Sequence, residues 1–197
     1  MHRFWVLVTD CGDSAVTLPL ALLVLLVLVA ARDKRLALFW LVTVAGCAAA
    51  IGALKLMFGA CAGRLGHLGI VSPSGHTAMS AAIYSSLALL IGAALPPRNR
   101  HVVWAAAAAL VAAIAVSRVV LHLHDAGEVV AGLVVGLGAA GLFAAMLRRG
   151  PTPRPPILWL TLGGFAVVAF MHGTRWMIEP AVQHLALGFR LVLPWCR

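Results

Sequence analysis

The sequence predicts an all-α fold, a polytopic bundle of helices whose main solvent is the lipid bilayer. Three observations carry this. Of 197 residues, 62% are hydrophobic and 11% charged, whereas soluble domains are about half apolar and about a quarter charged. The mean hydropathy is +1.01. The apolar residues gather into six runs of spanning or near-spanning length, separated by short segments rich in arginine, glycine or proline. No polar block is long enough for a second domain, so residues 1–197 read as a single membrane-embedded domain. The net charge of +9 is scattered. It fits loop orientation and anionic headgroups, and no nucleic-acid patch is expected.

Residues 1–14 are short and mixed, with Asp10 and Asp13 near their end, and they lack the small-residue cleavage site of a signal peptide. Span one is 15–31, closed by Arg32-Asp33-Lys34-Arg35. Span two is 36–58, where Ala45, Gly52 and Gly59 recur every seven residues and predict a close-packing helical face. Residues 59–71 form a glycine-containing loop with Arg64 and His67. Span three is 76–95, stopped by Pro96-Pro97, and span four is the alanine-rich 102–121. Span five is 128–147, with Gly132 and Gly136 as a GxxxG face. Span six is 157–173, and the tail from Thr174, with Trp176, Arg190 and Trp195, suits the membrane interface. The six tryptophans read as belt anchors. Cys11, Cys47, Cys61 and Cys196 form no CxxC pair, Cys47 reads as packing, and a disulfide among the others stays open, with no spacing to indicate one.

The loops after spans one, three and five carry three, two and three Lys or Arg, which predicts that they face the cytoplasm. The opposite ends then share one side. They carry Lys55, Arg64, the stretch Pro73–His76 and the stretch Ser117–Glu128. Topology alone thus gathers the candidate polar groups at one membrane face, the outer one.

Pro73-Ser74-Gly75-His76 reads as a helix start. Ser74 caps, Gly75 lets a ligand approach the backbone, and first-turn amides attract an anion. The same four residues also fit a plain cap with an interfacial histidine. In the second stretch, Arg118 offers a fork that matches phosphate oxygens. His124 lies four residues before Glu128, within reach of a carboxylate–imidazole hydrogen bond that would fix its tautomer. Asp125 is a weaker rival for that role, and His122 points elsewhere. A solvated interfacial loop, or a metal set of His122, His124 and Asp125, are the other readings of this cluster. Lys55 fits either phosphate binding or snorkelling to headgroups.

Pro73-Ser74-Gly75-His76, followed after forty residues by Ser117-Arg118-x5-His124-x3-Glu128, resembles the type-2 phosphatidic-acid phosphatase and vanadium haloperoxidase superfamily, specifically its integral-membrane bacterial lipid phosphatases. That family's pattern is Lys-x6-Arg-Pro, Pro-Ser-Gly-His and Ser-Arg-x5-His-x3-Asp. Two departures stand out. Ala62 stands seven residues after Lys55, with Arg64 two later and no proline behind it, and Glu128 occupies the acidic position. The resemblance implies hydrolysis of a phosphomonoester or pyrophosphate of a membrane lipid, without a metal or other cofactor. Undecaprenyl pyrophosphate is favoured over phosphatidylglycerophosphate or phosphatidic acid. It also implies a phosphohistidine on His124, orientation by Glu128, proton donation by His76, and phosphate binding by Lys55, Arg64, Ser74, Gly75 and Arg118. The implied place is the bacterial inner membrane, with the site facing the periplasm. A non-catalytic carrier of a phosphate lipid is the alternative function.

Overall fold

The computed structural model describes residues 1–61, 72–151 and 153–176, together with positions 182, 184, 185 and 188. The described residues form seven helices and no strand. They are α1 (His2–Asp10), α2 (Ser14–Ala30), α3 (Lys34–Ala60), α4 (Gly75–Ala93), α5 (Pro97–Val120), α6 (Ala126–Arg148) and α7 (Ile157–Met171). Scarce acidic residues are used to start them. Asp13 caps α2 by accepting the Ala15 amide at 2.8 Å, and Asp33 caps α3 by accepting the Leu36 amide at 3.0 Å. Asp125 stands at the N-cap of α6, and Pro97 opens α5, where its missing N–H has no helical partner to lose.

Helix α4 is central and touches α2, α3, α5 and α6. Its small residues Ala78, Ala81 and Ala82 are fully buried. Lipid tails are as apolar as leucine, so helices in a bilayer associate through close fit rather than water exclusion. The expected glycine face of α6 supplies that fit. A Cβ on Gly132 would stand 2.5 Å from the Ser74 carbonyl oxygen, and one on Gly136 would collide with the Ala78 carbonyl oxygen. Large apolar residues such as Leu22, Leu26, Phe165 and Phe170 point outward from the bundle. The stretch His2–Ala30, which joins α1 and α2, and helices α3 to α6 are long and apolar enough to cross a membrane. At 15 residues α7 is equally apolar but shorter than a full span.

In the stretch 1–14, α1 takes up most of the residues and packs on α5. Two expectations need correction, those on the packed face of α3 and on Trp40. The Ala45, Gly52 and Gly59 face of α3 is not the packed one. Ala45 is exposed and a Cβ on Gly52 would meet nothing, while Thr43, Cys47, Ile51, Lys55 and Phe58 turn inward. Trp40 is no belt anchor. It is 1% exposed, meets Phe143 edge-on, and donates Nε1–H to the Ala21 carbonyl at 2.9 Å. An unpaired indole donor in that apolar core would be costly, so the bond decides the ring's place. Cys61, at the C-terminal end of α3, is disulfide-bonded, whereas Cys11 and Cys47 are free.

Candidate functional site

The turn into α4 and the turn into α6 are tied together at one end of the bundle. Ser74 caps α4, its Oγ accepting from the Thr77 amide at 3.4 Å and from the Thr77 hydroxyl at 3.0 Å. The Ser74 amide donates to the main-chain oxygen of Glu128 at 3.0 Å. Glu128 is the third residue of α6, and its buried carboxylate reaches back across the helix start. Oε1 accepts the Ser72 amide at 2.6 Å, and Oε2 faces His124 Nδ1 at 2.7 Å. A carboxylate only accepts, so Nδ1 carries the hydrogen and Nε2 is left to react. Asp125, the rival for this role, completes a capping box with Glu128 instead.

Lys55 does not snorkel to headgroups. It is 7% exposed, and Nζ donates to Ser72 Oγ at 3.2 Å. A Cβ on Gly75 would come within 3.2 Å of Lys55 Cε, so glycine there lets the lysine lie against the α4 start. Arg118, in the last turn of α5, is buried and donates to Thr9 Oγ1 at 3.2 Å. Its carbonyl oxygen accepts the amides of Leu123 and His124, closing the turn that presents the histidine. The His124 ring sits below the ordinary imidazole pKa. Burial is the largest cause. The Glu128 hydrogen bond and charge oppose it, and the positive charges of Arg118 and Lys55 add to it. The ring is therefore neutral at pH 7, as a nucleophile must be.

His76 lies one residue into α4 and faces Asp13 Oδ2 through Nε2 at 3.3 Å. It borders two cavities. One, of about 360 Å³, is polar-walled, with Thr9, Asp10, Asp13, Arg118 and Arg175. The other, of about 220 Å³, runs between α2, α3 and α4, where Leu18, Ile51 and Met79 meet Lys55 and Gly75. His124 lines neither of the two.

The structure thus ties Ser74, Glu128 and His124 together, links Lys55 to them through Ser72, and sets His76 in cavities lined by Lys55, Gly75 and Arg118. Arg64 lies outside the described residues, as does His67. His122 is exposed, with a positive φ of 52°, and among the described residues no three His, Cys, Asp or Glu side chains form a metal-holding set. Sequence reasoning missed Ser72, Thr9 and the role of Asp13. Ser72 sits two residues before Ser74 with no pattern to single it out. Asp13 carried one signal: it is among only six acidic residues and falls on the same side as the site.

Comparison with known proteins agrees with the geometry. The chain is 31% identical over 168 residues to a Klebsiella pneumoniae protein described as "Uncharacterized 22.5 kDa protein in cps region", covering 85% of this chain and 79% of the relative. No solved structure matches the chain significantly. The family model for the PAP2 superfamily matches residues 60–151, which hold the Pro73–His76 and Ser117–Glu128 stretches. Membership supports phosphatase-type activity, and with motif, geometry and relative in agreement, the chain belongs to the PAP2 superfamily.

Proposed function

We propose that the protein hydrolyses the phosphate ester or pyrophosphate of a membrane lipid through a phosphohistidine on His124. One observation carries this reading: Glu128 holds His124 Nδ1 at 2.7 Å while Lys55 and Arg118 stand close enough to depress the ring's basicity. Phosphoryl transfer asks mainly for a placed nucleophile and positive charge around the equatorial oxygens. His124 Nε2 attacks phosphorus, and His76 protonates the departing oxygen as its bond to phosphorus breaks. Water then attacks the phosphohistidine, gives a proton back to His76, and frees phosphate. Lys55, Arg118, Arg64 and the Ser74–Gly75 turn hold the phosphate oxygens throughout. No step uses a metal.

Two features support a lipid as substrate. The cavity beside His76, Lys55 and Gly75 has apolar walls of Leu18, Ile51 and Met79, which suit the start of a hydrocarbon tail. The site also lies at the ends of membrane-spanning helices, so the tail need not leave the bilayer. We place the site at the periplasmic face of a bacterial inner membrane, with the basic loops in the cytoplasm. The disulfide at Cys61 supports this, because disulfides persist in oxidising compartments. Among candidate lipids the compact chain favours a polyprenyl pyrophosphate such as undecaprenyl pyrophosphate over phosphatidylglycerophosphate and phosphatidic acid.

Phosphate release by the detergent-purified protein, screened across these three lipids with His124→Ala beside the wild type, is the test. Release by the wild type in excess chelator, lost in His124→Ala, is the expected result. Binding of a lipid phosphate without release would replace the enzyme by a carrier.

A further inference from the structure

Asp13 is 6% exposed, in a chain with only six acidic residues. Its two carboxylate oxygens are divided between two tasks. Oδ1 accepts the amides of Ala15 at 2.8 Å and Trp176 at 3.2 Å. Oδ2 is left facing His76 Nε2 at 3.3 Å. These two amides come from the start of α2 and from the segment after α7, so the carboxylate is held from two parts of the chain. A fixed acceptor beside one ring nitrogen decides which nitrogen carries hydrogen and how the ring is turned. A helix cap alone would not require this. Asparagine caps as well as aspartate, and serine nearly so. The cap also leaves unexplained why Oδ2 points at the histidine.

We propose that Asp13 is a positioning residue for His76: it holds the Nε2–H so that Nδ1 is the nitrogen that passes a proton to the leaving oxygen and takes one back from water. This rests on the phosphatase reading given above. During transfer the P–O bond to the leaving group breaks and the P–N bond to His124 forms. The Nδ1 proton goes to the leaving oxygen, and His76 is left neutral with its remaining hydrogen shared with Asp13. In the second half Nδ1 accepts the proton that water loses. Asp13 touches no reacting atom and neither gains nor loses a proton.

The dependence on leaving group tests it. An alkoxide needs protonation as it departs, whereas p-nitrophenolate does not. Phosphatidic acid and p-nitrophenyl phosphate are therefore compared as substrates of the full-length protein in detergent. Asp13→Asn keeps the cap and the size but removes the charge. It should slow kcat on phosphatidic acid by about 10- to 100-fold and leave the single-turnover burst of p-nitrophenolate, which reports phosphorylation of His124 before water attacks, within about twofold. Asp13→Glu should recover part of the loss. In a His76→Ala background, Asp13→Asn should add nothing further on phosphatidic acid, because its partner is gone. An equal loss in the p-nitrophenolate burst, or an additive loss in the double variant, would overturn the proposal in favour of a merely structural cap. Full activity of Asp13→Asn on phosphatidic acid would overturn it outright. A wild type inactive on undecaprenyl pyrophosphate as well as on both phosphate esters would instead defeat the phosphatase reading, and this inference with it.

Discussion

At the residue scale, His124 and His76 are asked for different things. In the proposed reaction His124 makes a bond and His76 moves a proton, so each alanine variant should lose at least about a thousandfold in turnover, or about 4 kcal/mol of transition-state stabilisation. That exceeds the roughly 1–3 kcal/mol of a lost hydrogen bond, so steady-state phosphate release separates a chemical role from a supporting one. The pH profile follows from the environment of His124. Its imidazole is depressed below the ordinary 6.5. The nucleophile must be neutral, and a lowered pKa keeps it neutral further into acid. The acid limb of kcat/KM assigned to His124 should therefore fall below pH 6.5, and a limb above that value would contradict the site's electrostatics. Glu128 should matter through both charge and reach. Activity should run from wild type to Glu128→Asp to Glu128→Gln, the last losing up to about ten-thousandfold, as an orienting carboxylate can. Asp125→Asn should stay near wild type, since asparagine can hold the same N-cap. The His124–Glu128 pair was legible because four residues on a chain turning into a helix set the reach. The Asp13–His76 pair was not, because its members are 63 residues apart and no local period links them.

Spacing identifies a helical face, but only the neighbours decide which face is packed. The Gly132–Gly136 pair and the Ala45–Gly52–Gly59 series look alike as sequence. The first meets α4 backbone, whereas Ala45 is exposed and Gly52 borders open space. Gly136→Leu should therefore lower the unfolding midpoint in detergent markedly, and Gly52→Leu should leave it near wild type. Equal shifts in a thermal melt would refute the packing account. Gly132→Ala is a subtler case. Its Cβ would press on the Ser74 carbonyl, directly beneath the turn that carries His76. It should cost activity at temperatures where the protein is still folded. The helices were readable to within a few residues at most ends, because long apolar runs end abruptly at charges and prolines. Helix α1 was not. Its apolar run, Phe4 to Val8, is too short to announce itself, and its purchase on the bundle comes from Thr9 meeting Arg118 of α5.

Across the whole molecule, the basic loops and the site lie at opposite ends of the helices, and that predicts labelling in cells. A cysteine at Asn99 should be shielded from a membrane-impermeant thiol reagent, while one at the exposed Leu123 should react. The reverse pattern would put the site in the cytoplasm. Only a folded chain could reveal the last feature. The segment after α7 returns to the turn between α1 and α2, where Arg175 pairs with Asp10 at 2.9 Å and the peptide N–H of Trp176 reaches Asp13. The second of these contacts belongs to the backbone. Any residue except proline can supply it, so this bond gives selection no side chain to preserve and an alanine scan would pass over it. Trp176→Ala should keep the grip on Asp13 and Trp176→Pro should release it. On phosphatidic acid the proline variant alone should then behave like Asp13→Asn. A functional contact of this kind can persist while the residue that makes it drifts freely.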